Sequence, residues 1–269
     1  MSATVAAVRD ALPAAADALE AAGCETPRLD AELLIADALG VDRAALIADP
    51  GLPVPASAAR LIGERIRRRV AREPVAYILG RQGFRRIDLS VDSRVLIPRP
   101  ETELLVEVAL ELPRGARVHE VGTGSGAVAL ALRDERPDLR VSASDASAAA
   151  VGVARENAAR LGLALEVAAA PGLPAGGYDL VLANLPYVAE HEWAELQPEI
   201  VRYEPRAALV AGPGGLEAIR GLVKQAACGT RLALEHAPHQ AEEVRSLLDD
   251  ARTLPDLAGR ERATVGRAR

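Results

Sequence analysis

Glu120-Val121-Gly122-Thr123-Gly124-Ser125-Gly126-Ala127-Val128-Ala129-Leu130-Ala131-Leu132 is the stretch whose reading decides the fold. Residues 117–121 read as a strand, and they empty into glycines at every second position. Glycine is needed where backbone must turn sharply and approach a ligand closely. The apolar run 127–132 then reads as a helix with its amino end aimed at that ligand. Strand, glycine loop and helix in this order open a nucleoside-binding α/β domain.

The same alternation continues downstream. A strand over 139–144 ends at Asp145, close to the ~20-residue offset at which an acid reaches ribose hydroxyls. Asp145 also suits the start of the helix expected over 147–161. A short strand over 165–169 follows, and then an apolar run, 178–183, that stops at Asn184. Helices over 214–226 and 240–248 and strands over 231–235 and 263–266 complete the pattern. Strands alternating with helices imply a parallel sheet. The glycine loop alone suits NAD or S-adenosylmethionine. It reads G-x-G-x-G, with Ala127 at the last dinucleotide position. Glu120 just before it suits the ammonium of a methionine moiety by charge-assisted hydrogen bonding and would repel a pyrophosphate.

The second chemical signal is Asn184-Leu185-Pro186-Tyr187. Pro186 lacks the N–H that a sheet ladder requires, so the strand must end there. Asn184 therefore lies at a carboxyl strand end, where open α/β sheets hold ligands. Its side-chain oxygen and the Leu185 carbonyl are two acceptors, and the Tyr187 ring is a flat face. Together they suit a planar NH2 group, whether of an adenine, a cytosine or a carboxamide.

Ahead of this domain, residues 1–73 read as helical. Val5, Val8, Leu12 and Leu19 share a face, and Gly23 closes the segment. Thr26-Pro27 supplies an N-cap and a first-turn proline. Leu29, Leu33, Leu34 and Leu39 form the next apolar stripe, Asp42 caps a third helix, and Ser57 opens a fourth. Arg65, Arg67, Arg68, Arg69 and Arg72 read as a solvated basic face. Residues 74–98 alternate around Phe84, Ile87, Leu89 and Val91, as a β-hairpin linker would. The main domain spans 99–269.

Composition narrows the class. The chain has 269 residues, 49% hydrophobic and only 2% aromatic, so its core must be Leu, Val, Ala and Ile. A net charge of −6 and a pI near 5.4 argue against a protein that wraps nucleic acid electrostatically. No direct sequence-specific nucleic-acid binding is expected. No run approaches the ~20 apolar residues of a membrane span, and the amino terminus is no signal peptide. Cys24 and Cys228, far apart, read as buried thiols in a reducing, cytoplasmic setting. His236 and His239 lack a third ligand, so no metal is expected.

Taken in order, the glycine loop, Asp145 and the Asn-x-Pro-Tyr motif resemble class I S-adenosylmethionine-dependent amino-methyltransferases. Glu73-Pro74-Val75-Ala76-Tyr77-Ile78-Leu79-Gly80, Phe84 and Val95-Leu96-Ile97-Pro98-Arg99-Pro100-Glu101-Thr102-Glu103 narrow this further. With Glu25–Leu34 and Asp256-Leu257-Ala258-Gly259-Arg260, they are similar to the release-factor glutamine methyltransferase family (HemK/PrmC) over nearly the whole chain. The resemblance implies a Rossmann-like methyltransferase domain behind a small helical substrate-recognition domain and a β-hairpin linker. It implies methyl transfer from S-adenosylmethionine to the glutamine amide of the Gly-Gly-Gln motif in peptide chain release factors. Glu120, Gly122, Thr123, Gly124, Ser125, Gly126, Asp145 and Asn184 would bind the cofactor. Asn184, Leu185, Pro186 and Tyr187 would hold and orient the substrate amide. Leu185 stands where the family has a first proline, Ala168–Pro171 lacks the usual acid, and Leu234-Glu235-His236-Ala237 departs from the usual Glu-Ile-Gly. The Asn-Leu-Pro-Tyr variant leaves open a nucleic-acid adenine N6-methyltransferase. A docking module without turnover also stays open, as does an NAD-dependent dehydrogenase that would leave Asn184–Tyr187 idle.

Overall fold

The computed structural model describes residues 7–269, so Val5 lies outside the described residues. The chain forms two compact units: residues up to Gly80 with Gln197–Tyr203, and Arg81–Leu196 with Glu204–Arg269. In the first unit run α1 (Val8–Ala21), α2 (Pro27–Leu39), α3 (Arg43–Ala48), α4 (Ala56–Val70) and α5 (Val75–Leu79). Leu12, Leu19, Ile35, Leu46 and Ile62 from four of them meet in one buried cluster. Burying each such side chain stabilises by roughly 1.5–3 kcal/mol.

Local chemistry departs from expectation at several points. Thr26 donates its hydroxyl to Asp30 Oδ1 at 2.7 Å instead of capping α2. Helix α4 starts at Ala56 behind Pro55, one residue before Ser57. Asp42 does cap α3, accepting from the Ala45 N–H at 2.6 Å. The basic run is only in part a solvated face. Arg69 is buried between Asp30 (2.7 Å) and Glu199 (2.8 Å), and Arg72 meets Glu199 at 2.6 Å. Arg65 pairs with Asp37 at 2.6 Å. Residues 75–79, expected in the linker, form α5 of the first unit. Cys24 is buried, whereas Cys228 is exposed rather than buried.

The second unit opens with a hairpin, β1 (Arg81–Phe84) and β2 (Ile87–Ser90), then α6 (Glu103–Leu110) and β3 (Arg117–Val121). Next come α7 (Ala127–Glu135), β4 (Arg140–Asp145), α8 (Ala148–Leu161), β5 (Glu166–Ala169), β6 (Leu180–Ala183) and β7 (Val188–Ala189). Helix α9 (Pro198–Tyr203) belongs to the returning segment of the first unit. The chain closes with β8 (Val210–Gly212), α10 (Glu217–Gln225), β9 (Arg231–Glu235), α11 (Ala241–Ser246), β10 (Leu248–Pro255) and β11 (Glu261–Ala268).

Seven strands form the main sheet in the order β10-β11-β9-β6-β3-β4-β5. From β9 to β5 neighbours are parallel, but β11 runs antiparallel to both β9 and β10. The sheet is therefore mixed. The single strand expected near 263–266 is one arm of a hairpin whose partner, β10, the pattern did not show. Leu180, Val181, Leu182 and Ala183 are all buried, as a central strand covered on both faces requires. Among the described residues no helix is long and apolar enough to cross a membrane.

Candidate active site

The carboxyl ends of β6, β3 and β4, neighbours in the sheet, carry the three signals read from the sequence. Beyond them opens a cavity of about 610 Å³, lined by the Gly122–Ser125 backbone, Glu120, Asp145 and Asn184, among others. Crevices of this kind at strand carboxyl ends are where such sheets bind ligands.

The glycine loop is pinned to β4 by the N–H groups of Gly122 and Thr123, which donate to the Ser144 carbonyl at 2.9 and 3.1 Å. Gly122, Gly124 and Gly126 have φ of +75°, +56° and +86°, a region open to glycine. A Cβ on Gly126 would lie 2.8 Å from Leu130 Cδ1, and one on Gly122 2.9 Å from Leu185 Cδ2. A Cβ on Gly124 would meet nothing within 4 Å. The positive φ favours glycine at all three positions, and at Gly122 and Gly126 a Cβ would in addition force Leu185 or Leu130 to shift. Gly124 leaves its space to a ligand.

Two carboxyls border this loop. Glu120 is buried, and its Oε2 accepts from Thr123 Oγ1 at 2.6 Å and from the Ala129 N–H at 3.0 Å. Burial pushes its pKa up to about 8, against the pull of those two donors. Asp145 accepts the Gly124 N–H on Oδ2 at 2.9 Å and the Ser147 N–H on Oδ1 at 2.8 Å. Ser147, not Asp145, caps α8. Each Asp145 oxygen keeps a further lone pair for hydroxyl donors. An acid at the loop's start, an open glycine and a second acid at the neighbouring strand end fit an amino-acid nucleoside.

At the end of β6, Asn184 Nδ2 donates to Thr102 Oγ1 at 3.0 Å, which makes Oδ1 the acceptor end of the amide. Thr102 is itself buried in the turn that follows Pro98-Arg99-Pro100. Glu204 holds that turn, accepting the Ile97 N–H at 3.2 Å and pairing with Arg99. Leu185 rests its side chain against Gly122, and Asn184, Leu185 and Pro186 all line the cavity. Tyr187 stands outside that lining. Its carbonyl accepts from Gln240 Nε2 at 2.8 Å, and its hydroxyl lies beside Glu235. Burial raises the Tyr187 pKa, so the phenol stays protonated.

Sequence reading missed two members of this site. Thr102 stood in a quoted run but without a role, and Glu235 was noted only as a departure. The nearby His236 is structural. Both His236 ring nitrogens are engaged, Nδ1 with the Ala237 carbonyl at 2.9 Å and Nε2 with Thr264 Oγ1 at 2.8 Å. Glu192 accepts the Ala189 N–H at 2.8 Å, and Arg206 lies over the Trp193 ring at 5.6 Å.

Comparison with known proteins agrees with this layout. Residues 10–80 match the profile described as PrmC N-terminal domain, and residues 100–215 match the methyltransferase small domain. The chain is 40% identical over 272 residues to a release factor glutamine methyltransferase of Xylella fastidiosa, covering 95% of this chain and 98% of that one. It is 40% identical over 269 residues to the protein of that name in Deinococcus radiodurans, covering 95% and 96% of the two chains. With the one in Mycolicibacterium smegmatis it shares 43% over 242 residues, 85% of this chain and 84% of that one. Among solved structures, the hMettl16 catalytic domain in complex with MAT2A 3'UTR hairpin 1 superposes with a TM-score of 0.52. That match, at 16% identity, covers 66% of this chain and 74% of the other and speaks for the fold alone.

Proposed function

We propose, from the premise that this chain belongs to the release factor glutamine methyltransferase family, that it methylates a glutamine side-chain amide in peptide chain release factors. The acceptor on this reading is the glutamine of the Gly-Gly-Gln motif, and the donor is S-adenosylmethionine. The carrying observation is the Asn184 amide, tethered by Thr102 at the cavity wall with its oxygen left as acceptor.

Glu120 takes the donor's ammonium, the Gly122–Gly126 loop passes close along it, and Asp145 accepts from its ribose hydroxyls. Bound there, S-adenosylmethionine supplies an electrophilic methyl group on a sulfonium. A carboxamide nitrogen is a poor nucleophile because its lone pair is delocalised into the carbonyl. Its two N–H groups donate to Asn184 Oδ1 and the Leu185 carbonyl, which orients the nitrogen and raises its electron density. Pro186 and Tyr187 fix the loop that presents these acceptors. No base is required beforehand, because the extra proton becomes acidic only as the N–C bond forms. Positioning then carries most of the acceleration, with a ceiling of ~7–11 kcal/mol. The first unit, up to Gly80 with Gln197–Tyr203, serves substrate recognition, the hairpin segment 81–98 links, and the rest of 99–269 carries out transfer.

The test is transfer of labelled methyl to a purified release factor, beside a Gly-Gly-Gln→Gly-Gly-Ala variant and an adenine-containing RNA. Label on the wild-type factor alone is expected. Label on the RNA would replace this reading with adenine methylation, and none anywhere would leave a module that only binds. Asn184→Ala is expected to lower transfer on the order of 100-fold or more with donor affinity nearly unchanged. Equal loss of both would remove Asn184 from the acceptor site.

A further inference from the structure

Helix α8 carries an amide side chain inside its run, Asn157, of a type that weakens helix interiors by competing for backbone partners. That side chain is 0% exposed, and each of its hydrogen-bonding positions is filled. Oδ1 accepts from the Ser90 N–H at 2.7 Å and from Arg160 Nη2 at 3.3 Å. Nδ2 donates to the Ser90 carbonyl and to the Ser125 carbonyl, each at 3.0 Å. Two donors at one end and two carbonyls at the other fix which end of the amide is oxygen.

Ser90 closes β2, and Asn157 meets both of its backbone groups as a neighbouring strand would. Arg160, three residues further along α8, donates to the Asp88 carbonyl on the same strand. Ser125 belongs to the glycine loop, is 2% exposed and lines the cavity. The chain that leaves β2 soon reaches that cavity as well, where Arg94, Val95 and Leu96 form part of the wall. Arg94 also pairs with Glu156 at 3.0 Å, an exposed contact of small worth. One buried amide therefore holds both the glycine loop and the strand that leads into a second piece of the wall.

We propose that Asn157 is a positioning residue that couples the β1–β2 hairpin to the glycine loop, so that hairpin and donor cavity order together. A ligand that fixes the loop strengthens the bond to Ser125 and, through the same amide, the grip on Ser90. By reciprocity, a loosened hairpin weakens the ligand. That the ligand is S-adenosylmethionine rests on the methylation reading; the clamp itself does not.

Asn157→Asp is the discriminating variant, because it keeps an acceptor for the Ser90 N–H and removes the NH2 that reaches Ser125. In the free protein it should quicken amide hydrogen exchange at Ser90 and at Gly126, whose N–H donates to the Thr123 carbonyl at 2.8 Å. Exchange at Leu182 in the core strand β6 should stay as it was. In the wild-type chain S-adenosylmethionine should slow exchange at Ser90 by roughly 5-fold or more, and in the variant Ser90 should no longer respond. In the transfer assay the variant's KM for the donor should rise on the order of tenfold with kcat nearly unchanged. A variant that is merely less well folded would lose kcat and keep that KM. The wild-type exchange measurement decides even if the variant does not fold. Ser90 exchange that ignores bound donor, or an unchanged donor KM in Asn157→Asp, would overturn the coupling. Quickened exchange at Ser90 and Gly126 in the variant, with no S-adenosylmethionine bound by the wild type, would uphold the clamp and overturn the donor reading.

Discussion

Glu120 shows how one side chain ties ligand binding to protons. Its pKa of about 8, raised by burial from an ordinary 4.5, leaves it protonated at neutral pH. A cationic ligand group favours the carboxylate, so binding must expel that proton. Calorimetry in two buffers of different ionisation enthalpy should show proton release on S-adenosylmethionine binding at pH 7, and affinity rising toward pH 8. Glu120→Gln should abolish both. The same shift enters stability. Because the folded value exceeds the unfolded one, this contribution is complete below 4.5 and is lost as pH rises through about 8. Denaturant midpoints of Glu120→Gln should therefore slope less over that window. Glu120 and Asp145 were legible because a glycine loop and strand ends mark their places locally. The bond from Asn184 to Thr102 spans 82 positions, and no periodicity in the sequence carries such a pairing.

At the scale of elements, the glycine loop separates folding from binding. Gly126→Ala puts a methyl 2.8 Å from Leu130 Cδ1 at a φ of +86°, so it should destabilise by ~1–3 kcal/mol. Gly124→Ala meets only open space, so its methyl intrudes on the cavity. The thermal unfolding midpoint should fall further in the first variant, because the second adds only the strain of an alanine at a φ of +56°, and titration with S-adenosylmethionine should single out the second. Strands β3, β4, β6 and β9 could be read because their apolar runs are bounded by turn residues. Strand β10 could not. Its Asp249 and Asp250 break the alternation, and the register shifts between Asp249 and Arg252, where Asp250 has a φ of +50°. The missed strand turned an expected parallel sheet into a mixed one.

Across the whole molecule, the first unit is discontinuous in sequence. Gln197–Tyr203 supplies Glu199 to Arg69 and Arg72, Gln197 Nε2 donates to Glu25 at 2.6 Å, and the Tyr203 hydroxyl donates to the Ala71 carbonyl at 3.0 Å. Glu199→Ala leaves two arginines short of their carboxylate. Breaking a buried pair from one side costs ~3–5 kcal/mol. Hydrogen exchange in α2 and α4 of the full chain should accelerate accordingly. Ile200 and Val201 are too short an apolar pair to tie this segment to helices more than a hundred residues earlier, which is why a contiguous helical domain was the natural reading. The arrangement also sets a schedule for synthesis. The first 80 residues leave the ribosome with Arg69 and Arg72 still lacking Glu199. At about 5–20 residues per second, the missing carboxylate follows roughly 6–24 s later. Until then the nascent amino-terminal helices wait half-finished, the part of the protein most exposed to proteases and chaperones.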